Sequence, residues 1–360
     1  MPTRHLTDDQ RRSFARYTHD PSPEHLARYF HLDRFDLGVI KDLRSAHNRL
    51  GFAVVLCTAR FLGAFPNSAD DIPASVLTTL KDQLHLAPDA TLDGYFDGRT
   101  FERHVMRIRS QFGFTDFGDN PSARFRLCRW LYTLCWSGDD RPGPLIERAE
   151  SWLVVNKILL PGITVLERFV GRIRERAQAR LWRRLVTGLS PDQRDRIRKL
   201  FDTADTAAFS ALDALRTIPT KRSPTEFFHH LDRLDAVRAF DLRPMPPRGV
   251  PAATLERLAR VARISKPSAI AALQEPRRTA TVAALFYTLE AAAQDDATEL
   301  AEALLADLIR DAEGHKTKAR LRSVRDLDEA ALLLSEMGRL VISGDDLPLD
   351  RWRSEASNRR

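Results

Sequence analysis

The sequence predicts an all-α protein: a multi-domain array of small helical bundles with helix-turn-helix-like elements, joined by a long basic helix. Three observations carry that prediction. Helix-start signals recur along the chain, several as Ser-Pro pairs that supply an N-cap side chain and a proline at the first helical position. Apolar residues repeat at three- and four-residue spacing. No alternation of period two is long enough to define a strand.

Taken in order, Thr7-Asp8-Asp9-Gln10 has the pattern of a capping box, and Ser22-Pro23-Glu24 offers the next start. Helical spacing then covers about 33–45, 47–62, 73–85, 99–111, 122–136, 144–158 and 162–187. Pro142-Gly143-Pro144 reads as a turn inside one unit. In the second half, Ser190-Pro191-Asp192-Gln193 opens a helix over about 191–202, and Ser223-Pro224-Thr225-Glu226 opens another over about 224–236. Both carry the Gln or Glu of a capping box. Further helices are expected over about 205–215, 252–262, 267–273, 276–294, 296–313 and 326–337. The breakers in Asp241-Leu242-Arg243-Pro244-Met245-Pro246-Pro247-Arg248-Gly249 cannot continue a helix. The expected organisation is a helical domain over 1–160, a long basic helix and second helical unit over 161–240, a Pro-rich linker over 241–250, a last helical unit over 251–340, and a frayed tail over 341–360.

Composition narrows the function classes. Hydrophobic residues make up 43% of the 360, with five Trp and 19 Phe, enough for sizeable cores. No apolar run spans a bilayer, and Met1-Pro2-Thr3-Arg4-His5 lacks the apolar stretch of a signal peptide. Three cysteines, Cys57, Cys128 and Cys135, cannot form a disulfide framework. A cytoplasmic protein with no membrane partner is expected. Of the 56 basic residues 48 are arginine, whose planar fork suits phosphate and guanine. The net charge of +7 is not spread evenly: residues 168–200 carry +8 by themselves, so the rest is nearly neutral. Within that stretch Phe169, Ile173, Ala177, Leu181 and Leu185 form an apolar stripe, with Arg168, Arg172, Arg176, Arg180 and Arg184 beside it at the same spacing and Arg183 adjacent. Like charges at i,i+4 repel. An anionic partner would relieve this, and the alternative is a solvated face whose arginine stems cover apolar surface.

The most specific segment is Arg44-Ser45-Ala46-His47-Asn48-Arg49-Leu50-Gly51-Phe52-Ala53, continuing to Gly63. It resembles the His-Asn-Arg-Leu-Gly-Phe-Ala signature of the N-terminal region of Tn3-family transposases. The resemblance continues in Arg107 to Phe114, in Leu166-Glu167-Arg168, in Ile264 to Leu273, in Glu275 to Thr281 and in Lys318 to Arg322. It covers about residues 4 to 335 and departs from the family after about residue 338. It implies helical DNA-binding domains that recognise the terminal inverted repeats of a transposon. It also implies catalysis in a later ribonuclease-H-like domain with an Asp/Asp/Glu metal triad, before which this chain stops. DNA binding during transposition is therefore expected, and enzymatic activity of the chain itself is not.

The residues can be read beside the resemblance. Arg44, His47, Asn48 and Arg49 lie at the start of the helix carrying Phe52 to Leu56, and a helix N-terminus attracts anions. Arg and Asn also read guanine and adenine bidentately. Alternatively His47 and Asn48 cap and pack the helix while Arg49 pairs with an acid such as Asp42. Capping is favoured for Asn48 alone, and phosphate contact for Arg44 and Arg49. Residues 254–273 can be drawn as a helix-turn-helix with Lys266, Ser268 and Gln274 toward the groove, or as a packed hairpin in a scaffold. Arg277 and Arg278 would meet phosphate or flank the turn.

No cofactor or metal is expected. His229 and His230 point about 100° apart on a helix. Cys128 and Cys135 read as buried thiols, and the pairs Asp139-Asp140, Asp295-Asp296 and Asp345-Asp346 fall at turns or helix starts. The competing function is a helical scaffold over 205–340, acting through a homodimer or a mixed dimer with a full-length transposase.

Overall fold

The computed structural model describes residues 6–138, 141–201, 212–213, 215–218, 222–242, 247–315 (311–315 by backbone alone), 330–336 and 338–339. Outside them fall Asp139-Asp140, most of 205–215, Arg243–Pro246 of the linker, the Lys318–Arg322 motif, the start of the helix expected over 326–337, and the tail with Asp345-Asp346. The chain divides into two compact units, Met1–Gln178 and Ala179–Arg360.

Unit 1 holds α1 (Asp8–Ser13), α2 (Pro23–Tyr29), α3 (Arg34–Lys41), α4 (Ala46–Leu62), α5 (Ala74–Gln83), α6 (Arg99–Phe112), α7 (Pro121–Ser137), α8 (Pro142–Val155) and the larger part of α9 (Ile163–Thr187). The sequence signals act as local chemistry predicts. Thr7 and Gln10 close a reciprocal capping box on α1. Ser22 caps α2 with Pro23 at its first position. Pro142-Gly143-Pro144, expected as a turn, is instead the first turn of α8, because a proline there lacks only an N–H that would be unpaired anyway.

α4 is the axis of the first core. Leu50 through Ala59 are buried without interruption, so this helix has no solvent face along its middle and must be wrapped on all sides. α2, α3, α5 and α6 pack against it. Phe30, Phe52, Leu56, Leu80 and Ile108 are fully enclosed there. Two polar pairs are matched within this core. The buried carboxylate of Asp36 receives two hydrogen bonds of 2.7 Å from Arg60 while also closing the α3 capping box with Asp33. The Tyr17 hydroxyl lies 2.7 Å from the Thr58 hydroxyl. α4 ends at Gly63, whose φ of 68° is the left-handed conformation that glycine adopts without strain.

A second core in unit 1 joins α7, α8 and α9 through Leu127, Leu131, Leu145, Leu153, Leu166, Val170, Ile173 and Ala177. Arg11 of α1 pairs with the buried Glu167 of α9. Two short parallel strands, β1 (Thr115–Asp116) and β2 (Ile158–Leu159), were not expected; strands of two residues are too short to display an alternating pattern.

Unit 2 holds the end of α9, α10 (Pro191–Lys199), α11 (Pro224–Arg238), α12 (Ala252–Ile264), α13 (Pro267–Ala271) and α14 (Arg277–His315). α14 is one helix of 39 residues where two were expected, broken near Asp295-Asp296. No Gly or Pro interrupts it there, and the Asp296 carboxylate accepts a 2.7 Å hydrogen bond from Arg233 of α11 and does not act as a cap. Its first half is buried almost all round, from Ala280 to Leu289, with α11 and α12 alongside. The Ser190–Gln193 box closes as expected. The Ser223–Glu226 box closes only halfway: Ser223 caps the Glu226 amide, but the Glu226 carboxylate turns to His229 at 2.9 Å.

Candidate nucleic-acid interface

The signature segment lies where a chain enters its most buried helix. Ser45 is the N-cap of α4 and accepts from the Asn48 amide at 3.1 Å. Asn48 therefore contributes its backbone to the cap and not its side chain, which corrects the capping role expected for it. Arg44, one residue before the cap, is exposed; His47, Asn48 and Arg49 are half-buried. His47 is held on two sides: its Nδ1 donates to the Thr91 carbonyl at 3.0 Å, and its ring meets Tyr95 at 5.5 Å between centroids. Arg49 does not pair with Asp42, which lies 3.6 Å from Arg107 instead. No described carboxylate pairs with Arg49, and its Nε is buried without a hydrogen-bond partner.

Beneath this segment is a group that sequence reasoning missed. Tyr95 is buried with its ring against Gly51, leaving no room for a Cβ: the nearest ring carbon is 2.2 Å from where one would stand. Its hydroxyl lies 2.6 Å from His104 Nδ1. Burial, with Arg103 and Arg107 nearby, lowers the His104 pKa to about 4, so the ring is neutral near pH 7. Tyr95 is linked to His47 and Gly51 by no spacing rule; only the isolated Gly51 within an apolar helix pattern signalled a close approach.

α9 places its residues as its periodicity requires. Leu166, Val170, Ile173, Ala177, Leu181 and Leu185 are buried, Phe169 is half-buried against Phe117, and Arg168, Arg172, Arg176, Arg180, Arg183 and Arg184 are all exposed. The unit 1 arginines Arg168, Arg172 and Arg176 have no described partner. In unit 2, Arg183 donates to the Ala179 carbonyl of its own helix, and Arg184 donates to the Arg248 carbonyl at 2.9 Å.

The segment drawn as a helix-turn-helix has a longer first helix and a shorter second one than expected. α12 runs to Ile264, and α13 has five residues, little more than one turn. Arg216 fastens the bend, donating to the carbonyls of Ala262 and Ser265 at 2.6 Å each. Lys266, Ser268 and Gln274 are exposed, as is Arg277, whose guanidinium lies over Trp182 at 5.5 Å. Arg278 is committed inward, to Glu275 at 2.9 Å, to the Ala271 carbonyl and to the Phe201 ring. Among the described residues no three His, Cys, Asp or Glu side chains cluster as metal ligands would, and no helix is long and apolar enough to cross a membrane. Cys57 and Cys135 are buried and Cys128 is half-buried.

Residues 5–173 match the family described as a domain of unknown function, DUF4158. The transposase for transposon gamma-delta of Escherichia coli strain K12 is 37% identical over 350 residues, covering 97% of this chain and 35% of that protein. The transposase for transposon Tn1546 of Enterococcus faecium is 26% identical over 352 residues, with the same two coverages. The transposase for transposon Tn501 of Pseudomonas aeruginosa is 25% identical over 332 residues, covering 92% of this chain and 33% of that protein. The chain thus spans about a third of the length of the curated relatives it matches. By the signature around His47-Asn48-Arg49, by its helical fold and by similarity along nearly all of its length, the chain belongs to the Tn3 family of transposases and corresponds to their N-terminal region.

Proposed function

We propose that the chain binds double-stranded DNA and recognises the terminal inverted repeats of a Tn3-like transposon during transposition. One observation carries this reading. Arg168, Arg172 and Arg176 stand exposed one turn apart on α9, about 6 Å of helix rise between neighbours, above a buried apolar stripe. Glu175 is the exposed acid of that half of the helix, and no described carboxylate is bridged to the three guanidinia. Such a row is self-repelling in water and is relieved by phosphate. Arg44 and Arg49 at the N-terminal end of α4 supply a second cationic group, one exposed and the other carrying a buried unpaired Nε.

A titration of inverted-repeat duplex over a range of salt tests the reading. Affinity falls steeply with salt, and replacing Arg168, Arg172 and Arg176 with Ala lowers the slope of log K against log salt by roughly three. Arg44→Ala with Arg49→Ala weakens binding about tenfold or more, or about 1.4 kcal/mol. A flat salt dependence, or full affinity in both variants, contradicts the proposal.

A second reading, a dimerisation scaffold, has its own support. The far end of α14 carries Leu304, Leu305, Leu308 and Ile309 at helical spacing, and Leu308 and Ile309 are each 44% exposed. Light scattering separates the two: a monomer that shifts the duplex supports DNA recognition, and a dimer blind to DNA supports the scaffold.

A further inference from the structure

The sequence motifs do not single out α7, yet its surface has an unusual combination of side chains. Over seventeen residues it carries Arg124, Arg126 and Arg129 and no acid. At 100° per residue, Ser122, Phe125, Arg126, Arg129 and Thr133 share one side, and all five are exposed. Ala123, Leu127, Leu131 and Cys135 take the opposite side and are buried. Phe125, at one edge of the outward face and next to Arg129 one turn on, is 69% exposed. No described carboxylate pairs with the three arginines. Arg126 lies over Trp152 at 5.8 Å, which steadies its guanidinium against the bundle.

The arginine row of α9 offers charge alone, which suits the uniform phosphate backbone. α7 offers charge together with an apolar ring, and that pairing matches base edges. In the major groove, which admits an α-helix, guanine presents its N7 and O6 acceptors to arginine and thymine presents a C5 methyl to an apolar side chain. A face with arginines and no acid selects an anionic partner, and an exposed phenylalanine beside them gives that partner something other than phosphate to contact.

We propose that the outward face of α7 is a major-groove reading surface, with Phe125 on thymine methyl groups and Arg126 and Arg129 on guanine N7 and O6. It rests on the DNA-binding reading above and adds to it the surface that distinguishes one sequence from another.

The test titrates the full chain with three versions of the inverted-repeat duplex: unmodified, with uracil for thymine, and with 7-deazaguanine for guanine. The unmodified chain loses about threefold or more in affinity on each substitution. Phe125→Ala binds the unmodified duplex correspondingly more weakly and no longer responds to uracil. Arg126→Ala with Arg129→Ala binds it about tenfold more weakly and no longer responds to 7-deazaguanine. These side chains are exposed, so both variants keep the thermal melt of the parent. Wild-type affinity in both variants overturns the proposal and assigns the face to some other partner, such as an acidic protein surface. So does an equal loss on specific and unrelated duplex, or an unmodified chain indifferent to both base changes. A chain that never prefers the inverted repeat to unrelated duplex overturns the DNA-recognition reading itself, and this one with it.

Discussion

Gly51→Ala is a small change that ought to be costly. In a helix interior the substitution ordinarily stabilises by about 1 kcal/mol, because alanine is the better helix former. Here the new methyl would stand 2.2 to 2.5 Å from three ring carbons of Tyr95. Tyr95 cannot simply step aside: it is 2% exposed, its hydroxyl lies 2.6 Å from His104, and its ring is flanked by His47, Phe96 and Phe101. Forcing a methyl into such packing costs about 1–3 kcal/mol. Moving the ring also strands the buried His104 Nδ1, for about another 1–3 kcal/mol. Against the gain in helix propensity, the net loss is about 1–5 kcal/mol, or roughly 2–20 °C for a unit of this size. Urea and thermal melts of the chain and of Gly51→Ala measure it. Tyr95→Leu in the same background removes the ring that is struck, so the double variant is less destabilised than the sum of the singles. A Gly51→Ala protein as stable as the parent, or additive behaviour in the double variant, would refute the claim that Tyr95 dictates glycine at this position.

Three further predictions address the same unit. Folding holds His104 neutral, with its pKa lowered from 6.5 to about 4, so the unfolded chain binds a proton that the folded one refuses. The resulting stability is complete above about pH 6.5 and is lost as pH falls toward 4; His104→Gln flattens that slope in urea midpoints measured at pH 7 and pH 5, and an unchanged slope contradicts the assignment. Asp36→Ala leaves Arg60 without its two hydrogen bonds and α3 without half of its capping box, a loss of about 3–5 kcal/mol; a melt within 1 kcal/mol of the parent counts against it. Thiol labelling of the native chain reaches the half-buried Cys128 before Cys57, which is fully enclosed and whose thiol is pushed up to about 12 by burial; equal rates would be the contrary result.

Where the sequence carried a local signal, the fold was legible. Ser-Pro and capping-box starts marked α1, α2, α10 and α11 because a cap is satisfied within three residues of itself. The arginine row of α9 was legible for the same reason: its apolar stripe had one face to bury, which left Arg168, Arg172 and Arg176 nowhere but the surface. The family signature was legible as a motif, but the work of its residues was not. Ser45, not Asn48, caps α4, and Asp42 meets Arg107, not Arg49, because partners were settled by helices far along the chain.

The sequence by itself determined the helical class, most helix starts, the amphipathic faces and the family, since all of these follow from spacing along one chain segment. Only tertiary structure decided that α14 runs unbroken past Asp295-Asp296, because Arg233 comes from another helix to satisfy the acid. It alone decided that Gly51 makes room for a tyrosine 44 residues away, and that the ring of Phe125 faces water. Periodicity shows which side of a helix is buried; the neighbours that come from far along the chain decide which residues meet there.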